Sequence, residues 1–332
     1  MNITQNSYRK SSHVKRKIAI VGAGYVGTSC AFAILNQKLC DDMVLIDTDI
    51  ARAEGEAADL AHGVAFSGTN MHIFAGDYSD CADADIMIIS AGAAQVPGET
   101  RSDARILRRN SETVKSITRS AVSAGFSGIF IVATNPVDVM SSIVYMHSGF
   151  PAARIIGSGT TLDTARLRYL LGSYFEVDPR NVHAYVIGEH GDTEFVPWSS
   201  AYIGVKPIRS LCKEHPLRFS EKELSNIEQQ VRTSAYKIIA AKQATSYGIG
   251  MALARIIRAV FGDEHSILTV SSLIEGEYGI GNIWLGTPCT VGGDGVIGKL
   301  KIALTDEELQ KIKLSADKIK KDLSAAEPEK IF

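Results

Sequence analysis

The sequence predicts an α/β fold: a doubly wound parallel sheet followed by a mixed α+β second half. In the first half of the 332-residue chain, apolar runs of strand length alternate with segments of helical periodicity. Such alternation builds a parallel sheet with helices on both faces. A glycine-rich turn also follows the first run, where a strand would lead into a helix. The predicted strands are Lys17–Val21, Met43–Asp47, His72–Ala75, Ile86–Ser90, Ile129–Ala133 and Arg154–Gly157, and the predicted helices are Tyr25–Leu39, Ala51–Ala65, Arg105–Ala124 and Pro136–Met146.

The second half has a more mixed pattern. A long helical pattern runs from about Glu221 to Phe261, and Gly248 and Gly250 predict a break or bend inside it. Capping boxes are predicted at its start and at the start of the last helix, because Ser or Thr is followed three residues later by Glu. The predicted elements are a helix at Leu162–Tyr174, strands at Val182–Ile187, Ile267–Ser272, Ile283–Leu285 and Pro288–Val291, and helices opened by Ser220/Glu223 and by Thr305/Glu308, the last ending near Leu323.

Composition excludes several classes of protein. A net charge of −2 and a pI near 6.5 argue against nucleic acid or a membrane surface as the main partner. Apolar runs stay below the roughly 18 residues that a membrane span needs. The five cysteines, which lack C-x-x-C spacing, indicate free thiols in a reducing compartment, so we expect a cytoplasmic protein with no metal site. They are Cys30, Cys40, Cys81, Cys212 and Cys289.

The length suggests about two domains. We expect a disordered basic tail at 1–16, a nucleotide-binding domain at 17–157 and a catalytic domain at 158–332, with the active site between the two domains. The tail is rich in Lys, Arg and Ser and has no acid. Its composition also fits a very short organellar transit peptide.

A dinucleotide-type glycine loop follows the first predicted strand. Gly22, Gly24 and Gly27 form G-x-G-x-x-G, and Asp47 lies 20 residues beyond Gly27, at the end of the next strand. Glycines let the backbone approach a pyrophosphate at the helix N-terminus, and the acid accepts a bond from a ribose hydroxyl. An acid there also repels a 2′-phosphate, so the motif favours NAD over NADP in a Rossmann-type domain. The alternative is a tight strand–helix turn that holds no nucleotide.

A histidine between glycines supplies a candidate proton carrier. His190 lies in Gly188-Glu189-His190-Gly191-Asp192, and a histidine with a suitable pKa exchanges protons near neutral pH. Asp163 is its candidate carboxylate partner, and Arg166 can share one helix face with Asp163 and bind a substrate carboxylate bidentately. The structural alternatives are a loop histidine without a catalytic role and an internal Asp–Arg helix pair.

The segment 92–103 follows the end of a predicted strand and is rich in glycine and polar residues. It has the character of a mobile lid that would bring Arg101 to a substrate carbonyl on closure. The alternative is an ordinary surface loop with a solvated arginine.

From about Lys17 onward the chain resembles the L-lactate and malate dehydrogenase family, and within it the bacterial L-lactate dehydrogenases. The resemblance implies reversible hydride transfer between lactate or pyruvate and NAD⁺ or NADH, in a homotetramer. It also implies the roles of the individual site residues. Six motifs carry it in order: IAIVGAGYVG, VLIDTD, SAGAAQVPGETR, ATNPVD, GSGTTLDTARLR and YVIGEHGDTEF.

By this resemblance, His190 is the proton donor and acceptor, Asp163 its partner, Arg166 the substrate clamp and Arg101 the lid arginine. The resemblance places Asn135 beside substrate and nicotinamide, Thr245 in the substrate pocket, and Gly22, Gly24, Val26, Gly27 and Asp47 around the cofactor.

One lid position separates substrates within the family. The malate enzymes of the family share an arginine at this position, which pairs with the second carboxylate of the substrate. This chain has Gln95 there. A neutral amide does not repay the desolvation of that carboxylate, so we expect a pyruvate-sized substrate. The alternatives are a malate dehydrogenase, a dehydrogenase of another 2-hydroxy acid, and a non-catalytic NAD-binding structural protein.

Two further matches concern regulation. Arg168 and His183 fall where activator-dependent bacterial members of the family bind fructose 1,6-bisphosphate between subunits. Two cationic groups per subunit suit a bisphosphate. The alternative is a solvent-facing arginine and an ordinary strand histidine.

Overall fold

Six parallel strands form the centre of the fold. The computed structural model describes residues 15–93 and 103–327. These strands are ordered β3-β2-β1-β4-β5-β6, which is the Rossmann order, so the predicted doubly wound sheet is confirmed. Each predicted strand of the first half is present, with its ends within one residue of the prediction. The strands are β1 (Lys17–Val21), β2 (Asp42–Ile46), β3 (His72–Ala75), β4 (Ile86–Ile89), β5 (Ile129–Val132) and β6 (Ile155–Gly157).

Alternate residues of the central strands pack into two separate cores. In β1, Ile18 and Ile20 contribute to one buried cluster, and Ala19 and Val21 to the other. Successive side chains of a strand point to opposite faces, so a strand that is apolar throughout requires helices on both sides. The helices are α1 (Tyr25–Gln37), α2 (Ile50–Ser67), α3 (Ala104–Ser123), α4 (Val137–Ser148), α5 (Thr161–Phe175), α6 (Ile208–Glu214), α7 (Glu221–Lys242), α8 (Tyr247–Phe261) and α9 (Asp306–Ala326).

The two helical layers combine elements from both halves of the chain. Helix α8 packs on α1 on one side of the sheet, and α9 packs on α3 and α4 on the other. Leu253 and Ile257 of α8 lie in the same buried cluster as Ile18 and Ile20. The C-terminal half therefore completes both cores of the nucleotide-type sheet.

An antiparallel segment extends the same sheet beyond β6. Ser271 pairs with Gly157 of β6, so the sheet has nine strands in the part of the chain that the structure describes. The two strands predicted at Ile283–Leu285 and Pro288–Val291 are one continuous strand, and a further edge strand follows it. The remaining strands are β7 (Val182–His183), β8 (Tyr202–Ile203), β9 (Lys206–Pro207), β10 (Ser266–Glu275), β11 (Gly281–Gly292) and β12 (Gly295–Lys299).

The predicted long helix is two helices, and the predicted position of the break was wrong. Helix α7 ends at Lys242, where Gln243 adopts a left-handed conformation with φ of 68°, and α8 begins at Tyr247. Gly248 and Gly250 lie inside α8. A Cβ at Gly250 would lie 2.7 Å from the carbonyl oxygen of Ser29 on α1, so this glycine permits close helix packing.

The predicted strand Val182–Ile187 is also shorter than expected, because β7 ends at His183. Ile187 instead forms an isolated bridge to Phe195, and Gly188 forms one to Gly286 of β11. These bridges tie the histidine-containing loop to the sheet.

The hydrogen bonds at the starts of α7 and α9 show which of the two predicted capping boxes form. Thr305 and Glu308 form the complete box at α9. Ser220 accepts the Glu223 N–H at 3.2 Å, but the Glu223 carboxylate accepts a bond from the Asn226 side chain, so only half of the predicted box forms. Of the helices that the structure describes, none combines the length and apolar character needed to cross a membrane.

Candidate active site

Two side chains at the start of α5 meet a third that is distant in sequence. Asp163 and Arg166 lie in the first turns of this helix, and His190 is brought to them by the loop tied to β11. Asp163 Oδ2 is 2.6 Å from His190 Nδ1, and Asp163 Oδ1 accepts a bond of 2.6 Å from Arg166 Nη1. Asp163 is buried, at 1% exposure. Each of its two carboxylate oxygens contacts a charged or ionisable partner.

The Asp163–His190 contact fixes which ring nitrogen faces the substrate. An ionised carboxylate only accepts hydrogen bonds, so Nδ1 carries the proton in this contact and Nε2 is available for proton exchange. The Asp163–Arg166 helix pair, considered above as a structural alternative, does form. A guanidinium has five N–H donors, so this bond leaves donors for a substrate carboxylate.

His190 and Arg166 line a small cavity between the two halves of the chain. Its volume is about 60 Å³, which matches a substrate of a few heavy atoms. Asn135 and Thr245, both predicted to contact substrate, line it as well. The remaining lining residues are mainly apolar: Val26, Ala133, Ser158, Leu162, Ala235, Ile239 and Ile249.

A second carboxylate lies beside the histidine. Glu194, 3% exposed, has Oε2 at 3.9 Å from His190 Nδ1. Asp163, His190 and Glu194 include ligand types that metals use, but the 2.6 Å between Nδ1 and Oδ2 is a hydrogen-bond distance, shorter than the roughly 3.4 Å that separates two ligands of a tetrahedral ion bound at about 2.1 Å. The geometry is that of a hydrogen-bonded acid–base pair.

A larger cleft adjoins the small cavity. It has a volume of about 330 Å³, and it runs from the glycine loop to α7. Gly24, Val26, Asn135 and Thr245 line it, and the last three also line the small cavity. A ligand in the cleft would therefore reach the substrate cavity at its Asn135 end.

The glycine loop has the geometry that a pyrophosphate requires. Gly22 has φ of 108°, and a Cβ there would lie 2.5 Å from the Ala91 nitrogen. A Cβ at Gly27 would lie 1.9 Å from the Gly22 carbonyl oxygen, whereas Gly24 has open space beside it. Two glycines are thus required by the turn, and the third leaves the backbone at the start of α1 accessible to a ligand.

Asp47 lies at the carboxyl end of β2, next to the glycine loop. Its Oδ2 accepts the Ala23 N–H at 2.7 Å, and its Oδ1 accepts the Asp49 N–H at 3.0 Å. A carboxylate has about four acceptor sites, so it retains capacity for ribose hydroxyls. These residues fit the adenosine end of NAD.

Arg168 and His183 lie away from this site but near each other. Arg168 Nε donates to the carbonyl of Ala184, next to His183, at 3.1 Å, and its guanidinium lies 5.0 Å from the Tyr185 ring centroid. Burial lowers the pKa of Arg168 from its high usual value. Arg168 lines a separate cavity of about 210 Å³, and His183 is exposed.

Two predicted residues, Gln95 and Arg101, lie outside the described residues.

The structure adds two residues that the sequence patterns did not indicate. Asn110, 1% exposed, accepts the Ala93 N–H at 2.6 Å and donates to the Asn135 carbonyl at 2.7 Å, so it joins the start of the predicted lid to the substrate-site turn. Asp138 contacts the backbone of His190. The polar positions in the otherwise apolar periodicity of α3 and α4 were the available signal.

Glu189, in the histidine loop, tests whether the cost of burying its charge exceeds the attraction to Lys318. Burial raises the pKa of Glu189, although hydrogen bonds from Thr193 and the charge of Lys318 oppose the rise. A raised pKa means that the ionised form costs stability above that pKa. We expect Glu189→Gln to raise stability at pH 8 by about 1 kcal/mol, and the gain to shrink as the pH falls through the raised pKa of Glu189, where the folded protein takes up the proton.

Thermal unfolding at pH 8 and pH 5, at one protein concentration, measures this effect. Glu307→Gln on α9 is the matched control, because its side chain is 78% exposed. Lower stability of Glu189→Gln at pH 8 would show that attraction to Lys318 outweighs the desolvation of Glu189.

Comparison with known proteins relates both halves of the chain to one family. The family model for the lactate/malate dehydrogenase NAD binding domain matches residues 16–157, and the model for the alpha/beta C-terminal domain of that family matches residues 160–330. The L-lactate dehydrogenase of Priestia megaterium is 48% identical over 305 residues, covering 92% of this chain and 95% of that protein. That of Geobacillus stearothermophilus is 47% identical over 310 residues, covering 93% and 97%.

Solved structures agree with the sequence comparison. A lactate dehydrogenase from a deep-sea metagenome library superposes with a TM-score of 0.90 at 45% identity, covering 94% of this chain and 99% of that chain. The ligand-bound minor L-lactate dehydrogenase of Enterococcus mundtii has a TM-score of 0.90 at 40% identity, covering 93% and 98%. With two family models spanning nearly the whole chain and this level of identity, the chain belongs to the lactate/malate dehydrogenase family, whose N-terminal domain binds NAD.

Proposed function

We propose that the protein is an L-lactate dehydrogenase, which interconverts lactate and pyruvate with NAD as the hydride carrier. The observation that carries the proposal is the Arg166–Asp163–His190 chain at a cavity of about 60 Å³. The cavity opens into the cleft beside the glycine loop. Relatives that are 44–48% identical over most of the chain and bear the name L-lactate dehydrogenase support it.

In this proposal each side chain has one task in pyruvate reduction. Arg166 pairs with the substrate carboxylate and orients it, and His190 Nε2 gives its proton to the carbonyl oxygen as C2 is reduced. Asp163 holds the Nδ1 proton and stabilises the imidazolium before transfer. Arg101, from the lid, polarises the carbonyl. In lactate oxidation, neutral His190 takes the hydroxyl proton.

NAD supplies the hydride chemistry when bound. Gly22, Gly24, Val26 and Gly27 border the proposed pyrophosphate site, and Asp47 holds the adenosine ribose. Asn135 is shared, because it lines both the cleft and the substrate cavity. In this assignment, residues 17–157 form the NAD-binding domain and residues 158–332 the catalytic domain.

A direct assay tests the proposed activity. NADH oxidation is measured with pyruvate, oxaloacetate and 2-oxoisocaproate in parallel, each with and without fructose 1,6-bisphosphate. The proposal requires the highest kcat/KM with pyruvate. A preference for oxaloacetate would make the protein a malate dehydrogenase, a preference for 2-oxoisocaproate would indicate a bulkier 2-hydroxy acid, and inactivity with all three would favour a non-catalytic NAD-binding protein.

Gln95 is proposed to set the preference for pyruvate over oxaloacetate. A guanidinium at this position would pair with the second carboxylate of oxaloacetate, so Gln95→Arg should shift the kcat/KM ratio toward oxaloacetate by at least about tenfold. Measuring kcat/KM for both substrates in both proteins gives this ratio. If the ratio does not change, Gln95 does not contact the substrate.

We further propose a cytoplasmic homotetramer that fructose 1,6-bisphosphate activates. All five cysteines are buried free thiols, which suits a reducing compartment. The partly buried guanidinium of Arg168 donates to the backbone segment that contains His183, and a guanidinium stays charged at neutral pH. A bisphosphate that joined such pairs from two subunits would stabilise the assembly.

The activation should depend on Arg168 and His183 together. Coupling is typically worth about 1–3 kcal/mol, so we expect a pyruvate KM lowered about 5- to 150-fold by the bisphosphate. The double variant Arg168→Gln/His183→Ala should lose activation and retain its saturating kcat. Calorimetry on the unmodified protein checks the site, because no binding at millimolar bisphosphate would rule out this regulation.

A further inference from the structure

A buried carboxylate outside the catalytic chain contacts the backbone of the proton carrier. Asp138 lies in the first turn of α4, three residues after Asn135, and is 2% exposed. Its Oδ2 accepts the backbone N–H of His190 at 2.9 Å. The contact joins α4 to the histidine loop over 52 positions in the sequence.

The other oxygen of Asp138 is fixed by the sheet. Ser271 on β10 donates its hydroxyl to Asp138 Oδ1 at 2.5 Å, and Ser271 is fully buried and pairs with Gly157 of β6. Hydrogen bonds to an ionised acceptor are short and strong. The N-terminus of α4 adds favourable partial charge to the carboxylate. Asp138 therefore links the substrate-side turn, the nine-stranded sheet and the histidine loop at one point.

A buried charge is costly unless its partners repay the desolvation. Asp138 binds the backbone N–H of His190, while Asp163 binds the ring of the same residue. Two independent carboxylates therefore fix the main chain and the side chain of one residue. A histidine held at both points keeps its Nε2 directed at the substrate with little freedom to turn away.

We propose that Asp138 is a positioning residue that anchors the backbone of His190 and whose negative charge favours the protonated ring. This inference rests on the proposed function, in which protonated His190 reduces pyruvate. The other charged groups that face the histidine among the described residues are Asp163, Glu194 and, through Asp163, the Arg166 guanidinium. Asp138 adds to the two carboxylates that favour the imidazolium.

The variant Asp138→Asn separates charge from geometry. An amide oxygen still accepts the His190 N–H, and its NH₂ group donates to the Ser271 hydroxyl, which accepts as well as donates. The midpoint of the His190 ring titration should fall by roughly 0.5–1 pH unit. At pH 7.5 the pyruvate KM should rise about threefold or more, while kcat at low pH stays within about twofold.

The variant Ser271→Ala tests geometry with the charge kept. Loss of one bond to the carboxylate should loosen its position, so hydrogen exchange of the His190 amide should accelerate and kcat should fall about two- to fivefold. The titration midpoint should stay within about 0.2 units. Ser142→Ala is the matched control, because its hydroxyl bonds the backbone carbonyl of Asp138 and leaves the carboxylate untouched.

The ring titration is followed by NMR on the substrate-free protein, so this readout does not depend on the proposed activity. A lower midpoint in Asp138→Asn with an unchanged midpoint in Ser142→Ala supports the proposal. An unchanged midpoint in Asp138→Asn, or equal changes in the two variants, overturns it even if pyruvate reduction is confirmed. If Asp138→Asn does not fold, Ser271→Ala decides: unchanged amide exchange and unchanged kcat overturn the positioning role.

Discussion

Arg166→Lys should lower kcat/KM for pyruvate by about 2–4 kcal/mol, on the order of 30- to 900-fold. The arginine already gives one N–H to Asp163 at 2.6 Å, and its remaining donors are proposed to hold the substrate carboxylate. An ammonium is a compact point charge that cannot make two parallel bonds to a carboxylate while it keeps the planar contact with Asp163. The substitution should therefore weaken both the contact with the substrate carboxylate and the contact with Asp163.

Steady-state kinetics with pyruvate and direct NADH binding measure the two sides of this prediction. Affinity for NADH should barely change, because the cleft lined by Gly24 and Val26 does not include Arg166. Arg180→Lys is a suitable control, since the Arg180 side chain is 90% exposed. A loss of NADH binding as large as the loss of kcat/KM would contradict the role of Arg166.

Asp163→Asn should lower pyruvate reduction by about 10²- to 10⁴-fold, the range found for positioned acid–base groups. Asp163 accepts from two donors, His190 Nδ1 and Arg166 Nη1, each at 2.6 Å. An amide offers one oxygen and one NH₂ group, so one of these donors would face another donor. The substitution thus removes the charge and also breaks the geometry.

The direction of the effect with pH follows from the charge. A carboxylate partner favours protonated His190, so its loss should move the midpoint for pyruvate binding to lower pH. Lactate oxidation needs the neutral ring and should suffer less than pyruvate reduction. Parallel pH profiles for both directions, with the exposed Asp317→Asn as control, provide the measurement. A midpoint that stays fixed or rises would remove Asp163 from this role.

The sequence predicted the parallel part of the fold well because its signals are local. The alternation of mainly apolar strands with helices, and the glycine loop after Val21, depend on short stretches of chain. Later elements depend on distant contacts. The break after Lys242 is made by Gln243 in a left-handed conformation, which its residue type does not indicate, while Gly250 serves the packing of α8 on α1.

The same distinction applies to the candidate site. His190, Asp163 and Arg166 lie in motifs that resemble those of a known family, and the structure brings these three residues together. Asp138 and Asn110 act on backbone atoms of other segments. A contact of this kind has no fixed sequence spacing, because its partner can be of any residue type, and its only mark in the sequence is a polar residue within the apolar pattern of a helix.

The packing of α8 on α1 has a consequence for how the chain folds during synthesis. Leu253 and Ile257 belong to the buried cluster that contains Ile18 and Ile20, so the face of the sheet that α1 also covers stays partly exposed until α8 has left the ribosome. The N-terminal segment would complete its glycine loop about two hundred residues before its core closes. A fragment that ends at residue 157 should therefore expose apolar surface and aggregate.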